Sequence, residues 1–238
     1  MTALKPFFTF YGGKWRSAPH YPVPKYNTIV EPFAGSAGYS IRYADHNVTI
    51  VERDQLIAAT WRYLLRVSPA EILSLPDVEP EQTVDDLQIC DEARLLVGWW
   101  CNKGSCGPRK SPSAWMRAGK HSSSFWGPEI RSRIASQVER IRHWTLIEGD
   151  YREAPASKAT WFVDPPYQVA GRHYRHQVGD YADLAEWCRG RIGQVIVCEN
   201  VGAKWLPFRP WRDIKSNESK HGGKKSREAI WMNSEPKP

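Results

Sequence analysis

Ile29-Val30-Glu31-Pro32-Phe33-Ala34-Gly35-Ser36-Ala37-Gly38-Tyr39-Ser40 reads as a β-branched strand, a turn of small residues and the start of a helix. Glycine in a strand-to-helix turn lets backbone approach a ligand closely, and a helix start presents unbonded N–H groups to it. About twenty residues beyond the turn's first residue, Val48-Thr49-Ile50-Val51 reads as a second strand ending in Glu52-Arg53-Asp54. An acid at the tip of the second strand is where a doubly wound sheet holds a ribose diol. The glycines do not follow the GxGxxG spacing, which disfavours a pyrophosphate-bearing dinucleotide. A nucleoside ligand without phosphates fits better.

A second stretch supplies chemistry. The apolar run Ala159-Thr160-Trp161-Phe162-Val163 closes in Asp164-Pro165-Pro166-Tyr167. Proline fixes φ and has no N–H, so the carbonyls of Asp164 and Pro165 can aim outward from a rigid turn. Hydrogen-bond acceptors beside an aromatic face suit an exocyclic amino group on a flat ring. Accepting both amino hydrogens favours the pyramidal nitrogen, whose lone pair can attack. Four residues recur by chance, and on their own they fit a packed Pro-Pro turn equally well.

With its neighbours, the chain resembles the DNA adenine-N6 methyltransferase family, over nearly its whole length. Phe10-Tyr11-Gly12-Gly13-Lys14 resembles the N-terminal cofactor motif, and Glu31-Pro32-Phe33-Ala34-Gly35-Ser36 the turn that binds the methionine part of S-adenosylmethionine. Gly149-Asp150-Tyr151 is similar to the strand end that contacts the cofactor adenine, and Asp164-Pro165-Pro166-Tyr167 to the catalytic motif. Arg227-Glu228-Ala229-Ile230-Trp231-Met232-Asn233 is similar to the last core strand. The family turn usually reads Phe-x-Gly-x-Gly; here Ala37 takes the second glycine's place, Phe10 stands where tryptophan is frequent, and Glu52 where aspartate is.

The resemblance implies an α/β fold, a Rossmann-like class I methyltransferase sheet with an inserted, mostly helical target-recognition region. It implies a Dam-like enzyme that methylates adenine N6 in double-stranded DNA, with the base flipped into the pocket at Asp164, Pro165, Pro166 and Tyr167. S-adenosylmethionine is the implied cofactor, held by Phe10, Tyr11, Lys14, Glu31, Phe33, Gly35, Ser36, Glu52, Asp150, Tyr151 and Asp164. Between Glu52 and Asp54 the ribose partner stays open. Neither metal nor covalent intermediate is implied. A cytosine-N4 methyltransferase usually has serine in place of Asp164, and relatives acting on RNA or on protein glutamine usually begin the motif with asparagine. A DNA-binding relative without catalysis would not need Lys14, Gly35, Asp164 and Tyr167 together.

Charge distribution agrees with a polyanionic partner. The 238 residues carry 33 Lys and Arg against 26 Asp and Glu, a formal charge of +7. Residues 71–92 hold eight acids and no Lys or Arg, whereas 99–144 hold nine basic residues and two acids, and 203–227 hold eight and two. Two basic stretches around an acidic one match the edges of a nucleic-acid groove, although either alone fits a solvated face. Within the first, Asn102, Lys103, Arg109, Lys110 and Arg117 lie on a Gly/Pro-stiffened segment; Asn can read adenine and Arg guanine, the rest contacting phosphate. Lys224 and Lys225 fall in a basic segment that resembles the family's loop between its last strands. His173-Tyr174-Arg175-His176 follows the catalytic motif, either as a cover for a flipped nucleotide or as a solvated loop.

Five scattered cysteines, no signal peptide and no long apolar run read as reduced thiols in a cytoplasmic protein. The resemblance adds the expectation of a monomer in a bacterial cell or phage-infected host. Cys101, Cys106 and His121 lack a CxxC pair or a fourth ligand for zinc. No cysteine follows a proline, which counts against cytosine-C5 methylation. The expected organisation is a discontinuous catalytic domain, residues 1–66 and 145–238, interrupted by a DNA-binding insertion over 67–144. Helices are expected near Leu56–Arg66, near Leu87–Trp100 and after Gly127-Pro128, where Ile130, Ile134, Val138 and Ile141 keep helical spacing. The later strands are expected at Thr145–Glu148, Thr160–Val163, Gln194–Cys198 and Ala229–Met232.

Overall fold

The fold is that of a computed structural model, which describes residues 3–119, 122–169, 171, 174–215 and 225–233. Seven strands form one sheet: β1 (Thr28–Glu31), β2 (Asn47–Glu52), β3 (Thr145–Glu148), β4 (Ala159–Val163), β5 (Gly193–Asn200), β6 (Arg209–Lys215) and β7 (Lys225–Met232). Their spatial order is β3-β2-β1-β4-β5-β7-β6. The first five run parallel, while β7 pairs antiparallel with both β5 and β6. This is the Rossmann-like α/β sheet expected from sequence. Chain order reverses between β1 and β4, and in open α/β sheets ligands bind outside the carboxyl ends of the strands at such a switch point.

Strand β4 is buried at every position because layers cover both sheet faces, so it reads as an unbroken apolar run. Alternate side chains serve different cores. Phe162 joins Ile29, Ile50 and Ile196 on one face, and Trp161 and Val163 join Val30, Val51 and Val195 on the other. The first face also takes Ile72, Val84, Leu96 and Ile134, so residues 67–144 contribute to the core beside the sheet. Trp99 and Trp100 are buried there, as core residues rather than wedges.

The helices are α1 (Gln55–Arg66), α2 (Pro69–Ser74), α3 (Asp91–Trp100), α4 (Ala114–Arg117), α5 (Pro128–Ala135) and α6 (Tyr181–Arg189). Several depart from expectation. The helix expected after Gly38 is only a 3₁₀ turn, Ser40–Tyr43. Just eight residues, 39–46, connect Gly38 to β2, and the Ser40 N–H is claimed by the buried Glu31 carboxylate at 2.6 Å. The helix expected from Leu87 starts at Asp91, after a separate turn at Val84–Asp86. Beyond Gly127 the apolar spacing continues, yet α5 stops at Ala135 and a 3₁₀ turn carries Val138 and Ile141. The Gln137 side chain between them bonds both the N–H and the carbonyl of Lys5, which ties the N-terminal segment down. Lys225, expected in a loop, is the first residue of β7, because the β6–β7 pairing runs out to Lys215 opposite Lys225.

The turn after β1 explains its small residues. Gly35 and Ala37 both have left-handed backbone, φ 48° and 47°. Glycine adopts this freely, whereas a residue with Cβ pays roughly 1–2 kcal/mol, so Ala37 carries strain at the very place where the resembled family has glycine. Gly38 is required for a different reason. A Cβ there would lie 2.5 Å from the Trp15 backbone nitrogen and 2.9 Å from Lys14 backbone. Gly38→Ala therefore displaces the segment that carries Lys14, costing ~1–3 kcal/mol of stability. Chemical denaturation checks this, and an unchanged midpoint would mean the segment yields without cost.

Candidate active site

The two motif turns, Pro32–Gly38 after β1 and Asp164–Tyr167 after β4, meet at the switch point and frame a cleft. Phe10, Lys14, Glu31, Phe33, Gly35, Ser36, Glu52, Asp54, Asp150, Tyr151, Asp164 and Pro166 line it. Most of the sequence-derived cofactor residues are thus brought together. Tyr11, Pro165 and Tyr167 do not line that cleft. Tyr11 joins the first basic segment through its N–H, which donates to the Ser105 carbonyl at 3.1 Å.

Glu52 is not a free ribose partner. Its carboxylate oxygens accept the Gly35 N–H at 2.9 Å and the Asp54 N–H at 2.8 Å, so it also shapes the glycine turn. Burial pushes its pKa up to about 7, against the lowering effect of those backbone bonds. Asp54 caps α1 by accepting the Leu56 N–H at 2.9 Å. Each carboxylate keeps further lone pairs for hydroxyl donors. Burial likewise lifts Glu31 to about 8, partly opposed by its bond from Ser40. Phe33 and Tyr151 stack with centroids 5.2 Å apart, and the Tyr151 hydroxyl donates to Asp183 at 2.6 Å. Asp150 caps the turn at Tyr151–Glu153.

At the Asp164–Tyr167 turn, the Lys14 ammonium lies 2.9 Å from Asp164 Oδ1, 3.2 Å from the Gly12 carbonyl and 4.8 Å from the Tyr167 ring centroid. Both ion-pair side chains are largely buried, 9% and 19% exposed. Burial alone would lower the lysine pKa, but the Asp164 and Glu228 carboxylates raise it above the usual range. Burial raises that of Asp164, opposed by Lys14. Asp164 Oδ1 is held by the Lys14 ammonium rather than by a second donor. Among the described residues no donor reaches the Pro165 carbonyl, whereas that of Pro166 accepts the Tyr181 hydroxyl at 2.7 Å.

Three further groups stand here; the sequence alone assigns no role to Glu228 or Glu199, whereas Tyr174 belongs to the segment read as either a cover or a solvated loop. Glu228 on β7 accepts the Tyr167 hydroxyl at 2.5 Å. Glu199, fully buried at the end of β5, accepts from the Gln168 N–H at 3.0 Å, the Asn200 N–H at 2.8 Å and the Trp205 indole at 3.0 Å, fixing the exit of the turn. Tyr174 packs against Phe10, and its hydroxyl donates to the Tyr11 carbonyl at 3.3 Å, which brings its loop over the cleft. An acid embedded in an aromatic strand was the available signal for Glu228, and an acid ending an apolar run the signal for Glu199.

The basic segment runs from the cleft wall at Cys106 outward. Arg109 is exposed, and its N–H donates to the Gly98 carbonyl at 3.0 Å, holding the segment against α3. Lys103 lies over the Phe125 ring, and the carbonyl of Asn102 accepts the Thr9 hydroxyl at 3.2 Å. Arg117 is exposed at the end of α4. Lys110 pairs with Asp85 at 2.6 Å, an exposed ion pair that a phosphate can compete with at little cost. Lys224, His121 and His173 lie outside the described residues, as does the Lys225 side chain.

No protein-family model matches the chain, and no curated protein matches it either. Among solved structures it is similar to a conserved hypothetical protein of Streptococcus pyogenes, at 12% identity and TM-score 0.38, covering 91% of this chain and 89% of the other. It is also similar to the rRNA methyltransferase AviRa of Streptomyces viridochromogenes, at 15% identity and TM-score 0.40, covering 91% and 80%. The fold assignment rests on strand order rather than on either likeness. No helix among the described residues is long and apolar enough to cross a membrane.

Proposed function

We propose that the chain is an S-adenosylmethionine-dependent DNA methyltransferase acting on adenine N6. The observation that carries this reading is the Lys14 amine. It sits on Asp164 and over Tyr167, so this place already holds a nitrogen donor beneath an aromatic face. A flipped adenine would exchange its own amino group for the lysine's, with Asp164 and the Pro165 carbonyl as acceptors. Asp164 then opposes the positive charge that develops on the attacking nitrogen.

The cleft suits the cofactor. S-adenosylmethionine carries a sulfonium, an ammonium and a carboxylate, and the lining offers both signs, with Glu31, Glu52, Asp54, Asp150 and Asp164 beside Lys14, Arg53, Arg152 and Arg175. S-adenosylmethionine, when bound, supplies an electrophilic methyl group. Phe10, Phe33, Gly35, Ser36 and Tyr151 would enclose it, with Glu31 ionising opposite its ammonium, while Glu52 or Asp54 would take the ribose hydroxyls. Double-stranded DNA would lie across the basic insertion, Asn102 and Arg117 reading base edges and Lys103, Arg109, Lys110, Lys224 and Lys225 holding phosphates.

The test is to incubate plasmid DNA, RNA and protein with labelled cofactor and to map the product at single-base resolution. N6-methyladenine in DNA supports the reading. Label confined to cytosine, RNA or protein overturns it.

The ribose assignment predicts a pH dependence. Hydroxyl donors favour the ionised carboxylate, so binding lowers the Glu52 pKa from about 7 and releases a proton. Cofactor affinity rises with pH and levels off above neutrality, the dissociation constant at pH 6 being up to ~10-fold larger than at pH 8. Glu52→Gln makes the profile shallower, leaving the part centred higher that Glu31 contributes. Asp54→Asn, which keeps the α1 cap, leaves it unchanged. A flat wild-type profile by calorimetry, or one lost only in Asp54→Asn, removes Glu52 from the ribose site.

A further inference from the structure

Beneath the catalytic turn, Tyr167 is tied at both ends. Its face lies 4.8 Å from the Lys14 ammonium, and its hydroxyl donates to Glu228 at 2.5 Å. Glu228 is 5% exposed, on β7 opposite Asn200 of β5. A carboxylate accepting a phenol proton is a strong, charge-assisted partner. It does two things to the ring. It fixes the ring's position from the far side of the turn, and its hydrogen bond polarises the phenol, which makes the π face more negative. The phenol stays neutral, because burial and the Asp164 and Glu228 charges oppose its ionisation. A more negative face attracts cations and gives little to neutral groups.

We propose that Glu228 is a positioning residue for the methyl transfer proposed above, acting through the Tyr167 hydroxyl to hold and polarise the ring that faces the reacting amine. In this structure the cation on that face is Lys14. During reaction the N6 lone pair forms the N–C bond and the C–S electron pair returns to sulfur. Positive charge so passes to N6 until one of its protons leaves to Asp164 and then to solvent. Neutral adenine gains little from the polarised ring; the charged transition state gains more. Glu228 therefore acts on the rate of the chemical step rather than on DNA affinity.

Three variants isolate the effect: Glu228→Gln, which keeps an acceptor and removes the charge, Tyr167→Phe, which removes the donor and keeps the ring, and their combination. In protein labelled with ¹³C at tyrosine Cζ, Glu228→Gln shifts the resonance that Tyr167→Phe deletes and leaves the other tyrosines in place. This arm needs no catalysis, so it decides the coupling even if the chain methylates something other than adenine. In single-turnover methylation, Glu228→Gln lowers the rate about tenfold with DNA affinity within twofold, while in the Tyr167→Phe background it changes the rate less than twofold. A rate loss of equal size in both backgrounds overturns the proposal, as does an effect confined to DNA affinity or a Tyr167 resonance that Glu228→Gln leaves unmoved. Melting temperatures within a few degrees of wild type show that a rate loss is not unfolding.

Discussion

Asp164→Ala lowers the single-turnover methylation rate by ~100–1000-fold, on the order of 3–4 kcal/mol of transition-state stabilisation, while DNA affinity falls far less. Under the proposed function the carboxylate is both an acceptor for the substrate amine and the charge opposite the nitrogen that turns positive. The Lys14 amine, 2.9 Å from Asp164 Oδ1, makes the same pairing in this structure. Asp164→Asn separates the two roles, since the amide oxygen still accepts a hydrogen bond but carries no charge. If charge dominates, the asparagine variant falls nearly as far as alanine; if acceptance dominates, it recovers much of the rate. An alanine variant that retains more than a tenth of wild-type turnover at saturating substrates removes Asp164 from the catalytic role.

The parts of this molecule that sequence made legible are those whose neighbours lie nearby in the chain or are uniform in kind. Parallel strands covered on both faces are apolar throughout, so Ala159–Val163 and the middle of Gly193–Asn200 stand out. The motif turns stand out because glycine and proline are tied to particular backbone shapes. Strand β6 is hidden by Pro210 and by three charged residues among Arg209–Asp213, which an edge strand with a bulge tolerates. Helix α6 had a readable start, Asp180, whose side chain accepts from the Ala182 and Asp183 N–H groups. The site's supporting acids were harder still. Glu228 meets Tyr167 across 61 residues of sequence and Glu199 meets Gln168 across 31, and no local pattern encodes either partner. Glu52 was legible as an acid at a strand tip, but its bonds to the glycine turn depend on how that turn folds back.

Lys14→Met destabilises the fold by about 3 kcal/mol at pH 8, because removing one member of a buried ion pair strands the other. Here the stranded charge is Asp164, with Glu228 close enough to act on the same ammonium. The loss depends on pH, and its sign follows from the two groups. The Lys14 pKa is raised in the folded state, so its contribution is fully present at neutral pH and would fade only above the ordinary lysine range. Burial raises the Asp164 pKa, and the lysine holds that rise in check. Without the lysine, Asp164 climbs further and takes up a proton as pH falls, which relieves the stranded charge. The variant's deficit is therefore smaller at pH 5.5 than at pH 8. Urea unfolding of wild type and variant at both values measures it, with the difference in midpoint narrowing toward acid. A deficit equal at the two pH values would mean that Lys14 contributes packing alone, and that Asp164 does not depend on its charge.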